Sequence, residues 1–137
     1  FNKIMIPTDG SELSTAAALE GVAFALRQNI DIIRSLVVNI EKSKVCGGGA
    51  RNRLWLEILS TALNLELEIP ALEHGGVLGA AMLAAKSTLT PEEYRAMEKE
   101  FYKVSSTVEP NKELNEYYEK KYQSFLKLYP AIKEIEI

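Results

Sequence analysis

Three consecutive glycines, Gly47, Gly48 and Gly49, constrain this chain more than any other feature. A brief apolar run, residues 44–46, leads into them, and a run with helical character, residues 53–64, follows at once. Glycine tolerates positive φ and lets another group come close to the backbone. A helix that starts just after such a turn offers unpaired N–H groups and the positive end of its dipole. Strand, glycine turn and helix start together form a seat for an anion or a nucleotide. The structural alternative is a tight β-α turn and nothing more.

The rest of the chain reads as alternating strands and helices. Residues 1–6 make a strand closed by Pro7, and Thr8-Asp9-Gly10-Ser11 a turn in which Ser11 is a helix N-cap. A long helix over 13–34 follows, with Ala17, Ala18, Val22, Leu26, Ile30 and Ile33 at helical spacing; 36–40 is its exit. Residues 44–46 are a buried strand, and 54–63 a helix with Leu54, Trp55, Ile58, Leu59 and Ala62 inward. Residues 67–69 are a third strand ended by Pro70. His74-Gly75-Gly76 opens a helix over 77–86 whose small and aliphatic residues require burial on most sides. Alternation of this kind argues an α/β layered core, with a short, mainly parallel sheet.

At Ser87 the composition shifts. Thr90-Pro91-Glu92-Glu93 starts a helix, 102–108 reads as an extended connector, and 113–128 as a charged helix with Leu114, Tyr117 or Tyr118, Tyr122, Phe125 and Leu128 in one stripe. This divides the chain into a core, 1–87, and a helical C-terminal extension, 88–137, packed on it.

Composition excludes several classes. With 137 residues the chain fits one domain, and a net charge of -3 without a Lys/Arg cluster argues against nucleic-acid binding. No apolar run reaches membrane-spanning length. Cys46 is the only cysteine, so no intrachain disulfide forms, which suits the cytoplasm. Cys46 reads as a buried, inert thiol, and the only histidine, His74, as a surface or capping residue, so no His-based metal cluster exists.

Several stretches together resemble one family. Leu19-Glu20-Gly21-Val22-Ala23-Phe24-Ala25-Leu26-Arg27 is similar to a helix in the second lobe of FGGY-family carbohydrate kinases. Cys46-Gly47-Gly48-Gly49-Ala50, with Asn52, Leu54 and Trp55, resembles their adenosine motif, and Leu78-Gly79-Ala80-Ala81-Met82-Leu83-Ala84 their next helix. The tail, Val108-Glu109-Pro110-Asn111 with Tyr122 and Leu128-Tyr129-Pro130-Ala131, is similar to the end of xylulokinases. From about Ala18 onward, the resemblance implies the ATP-binding second lobe of an actin-like (ribonuclease H-like) fold. It implies ATP or ADP as cofactor, with Mg in the full-length family, and Gly47, Gly48, Gly49, Ala50 and Asn52 as nucleotide contacts. The family's first lobe supplies the sugar pocket and catalytic base. The expectation is therefore an ATP-binding-lobe fragment of a pentulose kinase, inactive alone, whose partners are an adenine nucleotide and either the missing lobe or a second copy.

The opening, Lys3-Ile4-Met5-Ile6-Pro7-Thr8-Asp9-Gly10-Ser11-Glu12, instead looks like the start of universal stress proteins, where the resemblance places Asp9 near adenine. A turn-forming role for Asp9 before Gly10 is the alternative. A junction near Ala16 to Ala18 is what a chimera would show. That leaves two further readings open, a recombined or designed α/β scaffold without activity and a stress-protein-like nucleotide binder.

Overall fold

A computed structural model describes residues 11–36, 39–72 and 75–133. The expected first strand and Asp9 lie outside these residues, as does His74. Helix α1, Glu12–Ser35, is capped by the Ser11 side chain, which accepts from the Ser14 N–H at 3.2 Å. Strand β1, Lys42–Lys44, leads through the glycine loop to α2, Arg53–Leu63. Strand β2, Glu66–Pro70, precedes α3, Gly75–Lys86, and α4, Pro91–Phe101. Strand β3, Val104–Val108, and helices α5, Asn115–Leu126, and α6, Leu128–Lys133, complete the order.

The described strands form one sheet in the order β1-β2-β3. β1 runs parallel to β2, with Ser43 opposite Leu67, and β3 runs antiparallel to β2, with Val108 opposite Leu67. The sheet is thus mixed, with one parallel pair and one antiparallel pair. The stretch expected to be a connector, 102–108, supplies the antiparallel strand, so the C-terminal extension is not purely helical. Only Val108 of that strand is buried, which is why the pattern was weak in the sequence.

Helix α2 lies between this sheet and a layer made by α1 and α5. Leu56, Ile58, Leu59, Ser60, Thr61, Ala62 and Leu63 are all buried, together with Leu65 and Leu67 from the chain that follows. Each large side chain so removed from water contributes about 1.5–3 kcal/mol. Ser60 has its hydroxyl satisfied twice, by the carbonyls of Leu65 at 2.7 Å and Val108 at 3.1 Å. The helix ends at Asn64 in the left-handed region, φ 49°, and Arg34 donates to the terminal carbonyls of Leu63 and Asn64.

The α1–α5 contact is aromatic and ionic. Phe24 meets Tyr118, Tyr122 and Phe125 at centroid distances of 5.6–6.1 Å. The Arg27 guanidinium lies 4.1 Å over the Tyr122 ring and pairs with Glu119, and the Tyr122 hydroxyl donates to Asp31 at 2.8 Å. Lys121 pairs with Glu20 at 2.6 Å.

Several expectations need correction. Leu54, expected inward on α2, and Leu114 and Leu128, expected in the stripe of the last long helix, are exposed. The buried face of α1 is Ala23 and Phe24, with Leu19 and Ile30 beside them, while Val22, Leu26 and Ile33 are exposed. The second strand lies two residues earlier than expected and is not buried, because Lys42 pairs with Glu66 and Glu68 on the open face of the sheet. Cys46 is exposed, since the strand has already ended. Helix α3 is mostly exposed rather than enclosed: Met82 is buried, but Val77 and Leu83 are 75% and 74% exposed.

Candidate functional site

The glycine loop is built by a change of backbone direction at the end of β1. The Val45 N–H makes the last bond to β2, donating to the Glu68 carbonyl at 3.0 Å. Gly47 then adopts φ 90°, a conformation that side chains rarely take. Residues Gly48–Arg51 coil into one 3-10 turn, closed by Ala50 N–H to the Gly47 carbonyl at 3.0 Å and Asn52 N–H to the Gly49 carbonyl at 3.2 Å. Gly48 and Gly49 open that turn, so their own N–H groups have no acceptor within it.

Asn52 is the joint between turn and helix. Its extended backbone, φ -93° and ψ 104°, stops the turn, and its side-chain oxygen accepts the Trp55 N–H at 3.1 Å as the N-cap of α2. The expected free N-terminus is therefore partly occupied by the chain's own cap. Asn52 is exposed, and the cap leaves its amide NH2 as the donor it can offer. The first turn of α2 carries no acidic residue, and Arg53 pairs with Glu57 at 2.7 Å.

The three glycines are glycines for different reasons. A side chain at Gly47 or Gly48 would meet nothing within 4 Å, but Gly47 has the positive φ. A Cβ on Gly49 would lie 3.2 Å from Trp55 Nε1 and 3.3 Å from Trp55 Cδ1. Gly48 has neither constraint, and its open side faces solvent.

Gly47, Gly48, Gly49, Ala50 and Asn52 thus form one contiguous, largely exposed surface, whereas Asp9 lies outside the described residues. The sequence reading missed two roles here. Trp55, read as core, is half-buried, packs against the core and braces Gly49. Asn52 is first a cap, which its position just before an apolar helical run signals. Lys44, on the strand leading in, lies 4.5 Å over the Tyr102 ring and donates to the Tyr102 carbonyl, joining β1 to the end of α4. Beyond the Asn52 cap, Arg53, Leu54 and Glu57 line a cleft of about 360 Å³ shared with Glu109, Asn111 and Leu114. Among the described residues no group of three or more His, Cys, Asp or Glu side chains could hold a metal ion.

Comparison with known proteins fixes the family. The FGGY family of carbohydrate kinases, C-terminal domain, matches residues 7–88. The chain belongs to the FGGY family of carbohydrate kinases. The match begins at Pro7 and so takes in most of the opening segment that looks like a stress protein. A xylulose kinase of Staphylococcus epidermidis is 29% identical over 119 residues, which are 87% of this chain and 24% of that protein. An FGGY carbohydrate kinase domain-containing protein of Danio rerio is 32% identical over 130 residues, 92% of this chain and 23% of that protein. The crystal structure of a xyloylose kinase from Brucella ovis superposes with a TM-score of 0.74 at 31% identity, covering 95% of this chain and 27% of that one. The chain therefore spans about a quarter of the length of these relatives. Its α/β fold is that of sugar kinases with the actin-like architecture. No helix among the described residues is long and apolar enough to cross a membrane.

Proposed function

We propose that this chain is the adenosine-facing part of the C-terminal domain of a xylulokinase-like enzyme. In that enzyme, ATP phosphorylates a pentulose. The loop made of Gly47, Gly48, Gly49, Ala50 and Asn52 receives the nucleotide, ATP before transfer and ADP after it. The observation that carries this reading is the open side of Gly48: neither backbone strain nor a packed neighbour explains a glycine there, and approach of a ligand to the backbone does. The adjoining 3-10 turn opens on the Gly48 N–H, which has no acceptor within that turn, and Asn52 adds an amide donor. The partly capped start of α2 favours the nucleoside over the phosphates at this loop.

Phosphoryl transfer needs charge stabilisation and positioning from all sides of the reacting phosphate. Sugar binding and the catalytic base fall to the remaining three quarters of the longer relatives' architecture. The 137 residues alone accordingly hold one wall of a cleft and bind weakly, with Kd on the order of 0.1–1 mM.

Amide NMR during titration with ADP tests the reading. Shifts centred on Gly47–Asn52 are expected. Shifts centred on Asp9 would move the site to the opening segment, and no shifts at millimolar ADP would remove the nucleotide from this surface. In a coupled assay the chain alone is expected to leave xylulose unphosphorylated; turnover that co-purifies with it would overturn the division of labour.

A further inference from the structure

We infer that Trp55 is the positioning residue of the nucleotide loop: its indole edge fixes where Gly49 sits, and this is why residue 49 has no side chain. The inference rests on the nucleotide reading for its functional consequence, but its geometric content is independent of that reading. A Cβ on Gly49 would come within 3.2 Å of Nε1 and 3.3 Å of Cδ1, tighter than most Cβ contacts, so the ring or the loop would have to give by a few tenths of an ångström. The φ of Gly49 is not in the left-handed region, so backbone strain does not explain the glycine. Trp55 is itself held at both ends. Its backbone N–H is bound by Asn52, and its ring packs beside the buried cluster of α2. Two groups of one four-residue span, the Asn52 cap and the Trp55 ring, thus transmit the position of the core helix to the loop. The indole N–H has no hydrogen-bond partner among the described residues, so the ring acts here by shape.

This assigns the three glycines differently from a loop in which every one touches the ligand. Gly47 supplies the turn, Gly49 accommodates the indole, and Gly48 meets the nucleotide. The assignment predicts a specific coupling. Gly49→Ala should lower the melting temperature by about 3 °C and weaken ADP binding several-fold. Trp55→Ala removes the whole indole and with it both atoms that a Cβ would meet, so Gly49→Ala in the Trp55→Ala background should cost little in either measurement. Gly48→Ala should leave the melting temperature unchanged in both backgrounds and weaken ADP binding in both.

The experiment is a double-mutant cycle on the chain at positions 49 and 55, read by thermal unfolding and by ADP titration. Equal thermal losses from Gly49→Ala in the two backgrounds would overturn the indole contact, whether or not ADP binds. A thermal coupling with an uncoupled loss of ADP affinity would show that residue 49 meets the ligand directly, and would overturn the positioning role. No ADP response in the unsubstituted chain would sink the nucleotide reading alone, since the thermal cycle still decides the contact. Should Trp55→Ala fail to fold, 5-fluorotryptophan in the otherwise unsubstituted chain gives a second test. Its single 19F resonance should move on Gly49→Ala and stay in place on Gly48→Ala; a resonance indifferent to Gly49→Ala would overturn the contact.

Discussion

Helices α2 and α3 invite comparison because glycines stand close to the start of each and each looks apolar. Helix α3 is the more uniformly apolar, with Lys86 its single charge, while α2 carries Arg53 and Glu57. Yet seven α2 residues are buried, and among the described residues of α3 Met82 alone is buried. Side-chain size and layering account for the reversal. Helix α2 projects Leu56, Ile58, Leu59 and Leu63 into a space enclosed by β2 and β3 on one side and α1 and α5 on the other. The alanines and glycines of α3 have little area to remove from water, and the helix packs mainly on α4. Hydrophobic stabilisation follows area buried, so a run of small residues makes a helix by propensity without making a core.

The sharpest test of this contrast is a large-to-small change at the centre of α2. Leu56, 2% exposed, should cost about 2–5 kcal/mol when replaced by alanine, because the layers around it cannot collapse into the gap. Denaturant unfolding measures this. Met82→Ala, the nearest equivalent on α3, should cost clearly less, having one packed neighbour helix rather than a sheet and two helices. Equal losses at the two positions would mean that α3 is as central as α2.

The same contrast explains what could be read from the sequence. Local signals were legible: Ser11 and Thr90-Pro91 cap helices as their residue types require, and the glycine loop with Asn52 forms one surface as its contiguity demands. Features set by tertiary geometry were not. The buried face of α1 is rotated from the expected stripe because Arg27 and Asp31 turn toward α5 as ion-pair and hydrogen-bond partners, which no apolar period records. Strand β3 carries Ser105, Ser106 and Thr107 to solvent and is a strand because β2 pairs with it. The brace between Trp55 and Gly49 depends on where the α2 axis lies relative to the loop, a distance that residue spacing does not give.

A second tier of effects comes from the polar clasp that holds α1 and α5 around α2. Burial, then the hydrogen bond to Asp31, pushes the Tyr122 hydroxyl from its ordinary value of 10.0 up to about 12. A raised folded-state value means that the neutral form is favoured in the fold. Its contribution is complete below pH 10 and is lost as pH rises from there toward 12. Tyr122→Phe should therefore lower stability at neutral pH by about 1 kcal/mol and reduce the alkaline loss between those limits. Unfolding midpoints measured across the alkaline range check it; an unchanged alkaline slope would place the titrating group elsewhere.

Smaller still is the expected effect at the α3–α4 junction. Thr90 and Glu93 form a reciprocal capping box: the Thr90 hydroxyl accepts the Glu93 N–H at 3.4 Å, and a Glu93 carboxylate oxygen accepts the Thr90 N–H at 2.9 Å. The backbone hydrogen bond from Thr90, then its side-chain bond, holds the Glu93 carboxyl below its ordinary value. A lowered value means stability present above the ordinary carboxylate range and lost as pH falls through the folded value. Thr90→Ala should cost about 1 kcal/mol, confined to α4. Amide exchange in α4 should quicken while exchange in α2 stays slow. Matching acceleration in both helices would show that the two regions unfold as one unit.

The smallest change in stability is expected at Leu83, and it carries the contrast furthest. This side chain is 74% exposed, so Leu83→Glu removes no packed contact and should shift the unfolding midpoint by an amount equivalent to about 0.5 kcal/mol or less. Its effect should appear in association instead. Val77 and Leu83 lie on the same small-residue helix, and exposed apolar surface of this kind draws partners. We propose that a second copy covers it when no other part of a longer kinase does. Sedimentation velocity over a range of concentrations should then show the unsubstituted chain self-associating and Leu83→Glu remaining monomeric. A chain that stays monomeric at high concentration would break the association proposal and leave the fold untouched. A loss of 2 kcal/mol or more from Leu83→Glu would instead break the contrast between α2 and α3, because an exposed leucine on a helix with one neighbour has no packing to lose.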